Sequence, residues 1–187
     1  MGVVLDILGS ILVRGMIIAI VIGLTLTLRD ELYKRTSDAN ILQTLTTVGS
    51  VIEKDMTQAG YHVASDTAFL KADSTDCKFL GDIPDANGLV DGIVDTVEYA
   101  VSTDPSETDP SSKTRILART VNGSTPYTFF KGPINVKFTY YDSLGVVTTH
   151  ITSVASISIL LSQWNTFLLS DTTAIVRREL WVFPSNL

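Results

Sequence analysis

The 187-residue chain carries 14 Lys+Arg against 20 Asp+Glu, giving a net charge of -6 and a pI of about 4.8. That balance excludes a nucleic-acid partner, which calls for clustered cations to displace counterions from phosphates. A single cysteine, Cys77, excludes an intramolecular disulfide or a cysteine-rich metal centre, and two histidines, His62 and His150, leave little for a histidine-based one.

The length suits one domain of about 100–150 residues plus an appendage. A mean hydropathy of +0.27 with 45% hydrophobic residues says that part of the apolar content lies outside a globular core. That surplus sits at the front. Ile7 to Leu28 reads ILGSILVRGMIIAIVIGLTLTL, with Arg14 as its one charge. As a helix it rises about 33 Å, close to the hydrocarbon thickness of a bilayer. A removed secretory signal would want a basic start, a shorter apolar run and a small-x-small exit, none of which Met1-Gly2-Val3-Val4-Leu5-Asp6 introduces. Residues 1–28 are therefore expected to form a retained membrane-spanning or filament-core helix.

Asp6 and Arg14 stand eight residues apart, about 12 Å along a helix. Either they sit at the membrane surface and snorkel, or a neighbouring copy displaced by that distance sets its Asp6 beside this Arg14. Gly9, Ser10, Gly15, Ala19 and Gly23 are small positions at which helices can approach closely. The candidate assembly residues are Asp6, Arg14, Gly15, Met16, Ile20 and Gly23. Flanking charge points the other way: Arg29, Lys34 and Arg35 follow the span, which by the positive-inside tendency turns that end toward the cytoplasm.

Residues 29–61 continue the helix in amphipathic form. After the collar Arg29 to Arg35, the residues Ile41, Leu45, Val48, Ile52 and Met56 recur at steps of three and four, one stripe that has to be covered. Ser37 or Asp38 is suited to cap a fresh start, so a kink or short break is expected near 36–39. Gly60 closes the helix in the left-handed conformation.

Residues 62–187 form the remaining unit. Residues 62–95, rich in Asp, Gly, Ser and Thr, read as an irregular connector. β-type runs follow at Thr96–Val101, Arg115–Val121, Tyr127–Phe130, Val136–Tyr141, Val146–His150, Val154–Leu161 and Ile175–Val182. Asn122-Gly123 is a tight-hairpin dipeptide. One long helix followed by strands is an α+β chain: an N-terminal helix, apolar in front and amphipathic behind, packed on a C-terminal antiparallel sheet.

Little in the sequence suggests catalysis, and the chain is read as a non-enzyme. Neither histidine sits in a nucleophile motif, and both are expected to be structural. Asp82, Asp85, Asn87, Asp91 and Asp95 gather around Gly88, where they form an ordinary solvated turn or hold calcium. An EF-type loop aligned on Gly88 would put Ile83 first and Val94 last, where carboxylates are required, so that match fails at two positions. No other cofactor is expected. Asn122-Gly123-Ser124 fits the glycosylation sequon, although Asn-Gly already has a turn role. Trp164, Trp181, Tyr140 and Tyr141 are expected to be core or interface aromatics, and Cys77 a small buried or loop residue.

Three passages carry a family resemblance: Ile52-Glu53-Lys54-Asp55-Met56-Thr57-Gln58-Ala59-Gly60-Tyr61 at the helix end, Asp91-Gly92-Ile93-Val94-Asp95-Thr96-Val97-Glu98-Tyr99, and Arg115-Ile116-Leu117-Ala118-Arg119-Thr120-Val121-Asn122-Gly123. With the helix-then-sheet layout, they resemble the type IV pilins and pseudopilins, and within them the PilW-type, minor-pilin-like branch. Family members start with a short basic leader cut after Gly and often carry Glu fifth in the mature chain. Here no basic leader precedes the apolar run, Asp6 becomes fifth if Met1 alone is lost, and an uncleaved or barely trimmed start is expected. The resemblance implies a structural subunit that waits in the inner membrane, is handled by a pilus assembly machinery, and joins copies of itself in an extracellular helical filament. A minor or priming pilin, a pseudopilin of a secretion system and a monomeric membrane-anchored binding module are the alternatives.

Overall fold

A computed structural model describes residues 2–64, 67–84, 89–104, 114–166 and 173–184, the side chains of 2–6, 165–166 and 173–174 excepted. The first element is one unbroken helix, α1 (Gly2–Thr57), of 56 residues, about 84 Å long at 1.5 Å per residue. The break expected near 36–39 does not occur. No Gly or Pro interrupts that stretch, Thr36 donates its hydroxyl to Leu32 O within the helix at 2.9 Å, and Asp30–Lys34 and Glu31–Arg35 ion pairs at 3.2 and 3.1 Å brace the turn before it. Helix geometry ends at Thr57 and the chain turns at Gly60, whose φ of +82 is the left-handed conformation expected there.

The strands form two antiparallel sheets. β1 (Phe69–Ala72), β2 (Asp76–Gly81), β3 (Asp95–Thr103), β4 (Arg115–Val121) and β5 (Tyr127–Gly132) make a five-stranded meander in chain order. β6 (Ile134–Tyr141), β7 (Ser156–Thr166) and β8 (Thr173–Val182) make a second, three-stranded one. The α+β class read from the sequence is the class observed.

Two expectations about strands are corrected. The stretch 62–95 is not merely a connector, because β1 and β2 lie within it. Their apolar residues are few and separated by Lys and Asp, yet Phe69, Cys77 and Phe79 are wholly buried. Val146–His150 is not a strand: Val147 makes a single bridge to Tyr141, and a 3-10 turn over Ile151–Ser153 follows. The Asp142 carboxylate accepts from the Leu144 and Val146 amides at 2.9 and 2.8 Å, holding the chain in a turn where a hairpin would have continued.

The amphipathic half of α1 lies against both sheets. Ile41, Leu45, Val48, Ile52 and Met56 are at most 7% exposed and share one core with Phe69, Phe79, Val97, Leu117, Leu161, Leu180 and Val182. Burying such a stripe contributes roughly 1.5–3 kcal/mol per residue before ordering costs. Gly49 lets the second sheet approach: a Cβ there would stand 2.5 Å from Leu180 Cδ1 and 3.1 Å from Leu161 Cδ1. At the helix end the Gly60 amide donates to Leu80 O at 2.9 Å, and Gly81 lies so close that a Cβ would stand 2.3 Å from Gln58 O.

Candidate functional site

The candidate site is the front half of α1 and the device that attaches it to the sheets. From Ile7 to Leu28 every large apolar side chain is between 54% and 66% exposed, all the way round the helix. This segment is long and apolar enough to cross a membrane, with an 18-residue window of mean hydropathy 2.4 and none of it buried. Its two threonine hydroxyls suit a dry setting: Thr25 donates to Val21 O at 2.8 Å and Thr27 to Gly23 O at 3.0 Å, so neither needs water.

Arg14, Gly15, Met16, Ile20 and Gly23 all lie on this exposed arm. Gly9, Gly15 and Gly23 have open space where a Cβ would stand. Gly15, Ala19 and Gly23 follow at four-residue steps along one line. The backbone of Asp6 belongs to α1, but its side chain lies outside the described residues.

The attachment is built from the three sequence passages singled out above. Asp55, on the rear half of α1, is 5% exposed. Its Oδ2 accepts from the Tyr99 hydroxyl on β3 and from Arg119 Nε on β4, each at 2.6 Å. Burial, and then the Asp55 charge, push the pKa of the Tyr99 hydroxyl far above its ordinary value, so it remains a proton donor. Burial works against the Arg119 charge, but the hydrogen bond and charge of Asp55 outweigh it and raise that pKa. The motif residues were visible in the sequence; that they meet one another was not, because Asp55 and Arg119 are 64 positions apart.

A second knot lies beneath. Asp82 is wholly buried. Its Oδ2 stands 2.7 Å from His62 Nδ1 and accepts from the Gly92 amide at 2.9 Å, while Oδ1 has no partner among the described residues. His62 is held at a φ of +59 with its ring stacked 4.2 Å from Tyr61, which makes it part of the helix ending. Asp95 accepts from the Ile83 amide at 3.2 Å and from Asn122 Nδ2 at 2.6 Å, and Asn122 Oδ1 accepts from the Thr96 amide at 2.8 Å. Asp91 accepts from the Ile93 amide at 2.9 Å. These contacts tie each described carboxylate of the Asp-rich stretch to the chain itself. Asp85 and Asn87 lie outside the described residues. Among the described residues no group of three or more His, Cys, Asp or Glu is placed to hold a metal ion.

Asn122 and Gly123, with φ of +53 and +66, form the tight turn between β4 and β5. Cys77 is buried, and burial pushes its thiol up to about 12. Tyr140 is core, whereas Trp181 is 46% exposed and lies 4.9 Å from Tyr141.

Comparisons with protein-family models, with curated proteins and with solved structures return no match. A long N-terminal helix seated by its rear half on antiparallel sheet is a pilin-like architecture, and its front half is apolar enough to anchor in a membrane.

Proposed function

We propose that this chain is a structural subunit of an extracellular type IV pilus-like filament, held in the inner membrane by its arm until an assembly machinery joins it to copies of itself. The observation that carries the reading is the continuity of α1. One rigid helix presents an apolar surface at one end, exposed on every side, and is locked by Asp55, Tyr99 and Arg119 at the other. Outside a bilayer that surface must stay dry. Bundling arms from many copies does this, at about 25 cal/mol for each Å² removed from water. Within such a bundle the charges at Asp6 and Arg14 would set the axial register more than the stability, because desolvation offsets their attraction.

Electron microscopy of material sheared from cells tests this directly. Abundant fibres containing this chain support the main reading, and fibres in which it is scarce support a minor or priming subunit. A chain found only as single copies in the membrane overturns both. The basic residues after the span favour a cytoplasmic sheet domain, so protease treatment of intact cells is the companion experiment. Digestion of the sheet domain agrees with the proposal, and full protection refutes it.

A further inference from the structure

The Asn122-Gly123 turn does more than reverse the chain. Asn122 reaches across to the start of β3 and is fastened there by three hydrogen bonds. Its backbone amide donates to Thr96 O at 2.8 Å, its Nδ2 donates to Asp95 Oδ1 at 2.6 Å, and its Oδ1 accepts from the Thr96 amide at 2.8 Å. Asp95 accepts in turn from the Ile83 amide through Oδ2 at 3.2 Å. One carboxamide thus clamps the β4–β5 turn to β3 and, through Asp95, to the segment after β2, where buried Asp82 meets His62.

The clamp holds only while position 122 can donate. A carboxylate there would set two acceptor-only groups against each other at hydrogen-bond distance, and like charges directly opposite are destabilising. The chain carries the means of making that change. Asparagine before glycine is a reactive pair, because no side chain shields the nitrogen that follows the carboxamide. Both residues are exposed, and a Cβ on Gly123 would meet nothing within 4 Å. Among the described residues the Gly123 amide donates to no group.

The Gly123 nitrogen attacks Asn122 Cγ, and the new C–N bond closes a succinimide ring as the bond to Nδ2 breaks. The Gly123 proton leaves with that nitrogen as ammonia. Water then opens the ring at either carbonyl, so that position 122 ends as aspartate or isoaspartate. While the clamp is closed, both side-chain atoms of Asn122 are held on β3, and the carboxamide has to give up two hydrogen bonds before it can turn to Gly123. Nδ2 is also the atom that a glycan on the Asn122-Gly123-Ser124 sequon would need.

We propose that Asn122 is a site of spontaneous deamidation, guarded by Asp95 while the turn is clamped, and that its conversion to a carboxylate releases the turn from β3. The change runs one way and needs no partner but water. It is separate from the apolar arm and stands whether or not the chain polymerises.

Timed incubation of the full chain in detergent micelles at neutral pH, with peptide mass spectrometry, follows the exchange of NH2 for OH at position 122. Giving up the two side-chain bonds should make the folded wild type react about thirtyfold or more slowly than the same chain in urea. Asp95→Ala should lose about tenfold of that protection, measured against its own rate in urea. Urea unfolding gives a second readout that needs no reaction. Asn122→Asp should weaken the folding equilibrium by about tenfold. Adding Asp95→Asn, which exchanges the amide and the carboxylate across the clamp, should return it to within about threefold of wild type. Equal rates folded and in urea, full protection kept in Asp95→Ala, Asn122→Asp as stable as the wild type, or a glycan found on Asn122 would each overturn the proposal.

Discussion

Asp55 is where removing a few atoms should be felt through the whole molecule. Its side chain is 7% exposed and that of Arg119 25%, with the Tyr99 hydroxyl completing the cluster. Asp55→Ala strands a mostly buried guanidinium and a buried hydroxyl together. Breaking a buried pair by deleting one partner costs about 3–5 kcal/mol. Solvent contact at Arg119 puts the charge contribution at the low end, and the orphaned hydroxyl adds about 1 kcal/mol. We therefore expect a loss of about 4 kcal/mol for Asp55→Ala, a large part of the 5–15 kcal/mol that holds an ordinary domain folded. Tyr99→Phe should cost about 1–2 kcal/mol. Arg119→Ala should cost about 3 kcal/mol, because the carboxylate it leaves keeps the Tyr99 donor. Combining Asp55→Ala with Arg119→Ala should cost less than the sum by about 2 kcal/mol, since no lone charge remains. Urea unfolding of the full chain in micelles, followed by Trp164 and Trp181 fluorescence, measures all four. A loss below about 1 kcal/mol for Asp55→Ala, or additivity within about 0.5 kcal/mol in the double variant, would refute the reasoning.

Other outcomes follow from the same geometry. Gly81→Ala drives a methyl into the Gln58 carbonyl, which is backbone and cannot yield cheaply, so it should destabilise more than Gly49→Ala; equal melting temperatures would contradict this. In Gly49→Ala the obstacle is the tip of Leu180, and a loss of about 1–3 kcal/mol is expected. Alkaline pH should unfold the protein early. Burial raises the Cys77 thiol from 9.0 to about 12 and raises Tyr99 and Tyr140 as well. Each group then holds its proton more tightly folded than unfolded, so its contribution is complete below the unfolded pKa and is lost as pH climbs toward the folded one. Melting temperature should fall from about pH 9 upward, and Cys77→Ala should flatten the first part of that fall; a profile level to pH 11 would be the contrary result. Asp6→Ala should abolish fibres without lowering the melting temperature of the sheet domain, and normal fibres from that variant would remove Asp6 from the assembly scheme.

Local and periodic features were legible in the sequence. The apolar run to Leu28, the stripe from Ile41 to Met56, the alternation in β3, β4 and β6, and the Asn122-Gly123 turn each depend on near neighbours and on which side faces water, and periodicity reports both. Tertiary structure decided what depends on the path of the chain. It recruited β1 and β2 from a stretch too polar to look like sheet, and divided the strands into two sheets. It carried α1 unbroken past Ser37 and Asp38, and brought Asp55 to Tyr99 and Arg119, and Asp82 to His62. A charge shows in the sequence only as a charge. The partner that makes it affordable to bury is chosen by the packing of distant segments, which no local pattern encodes.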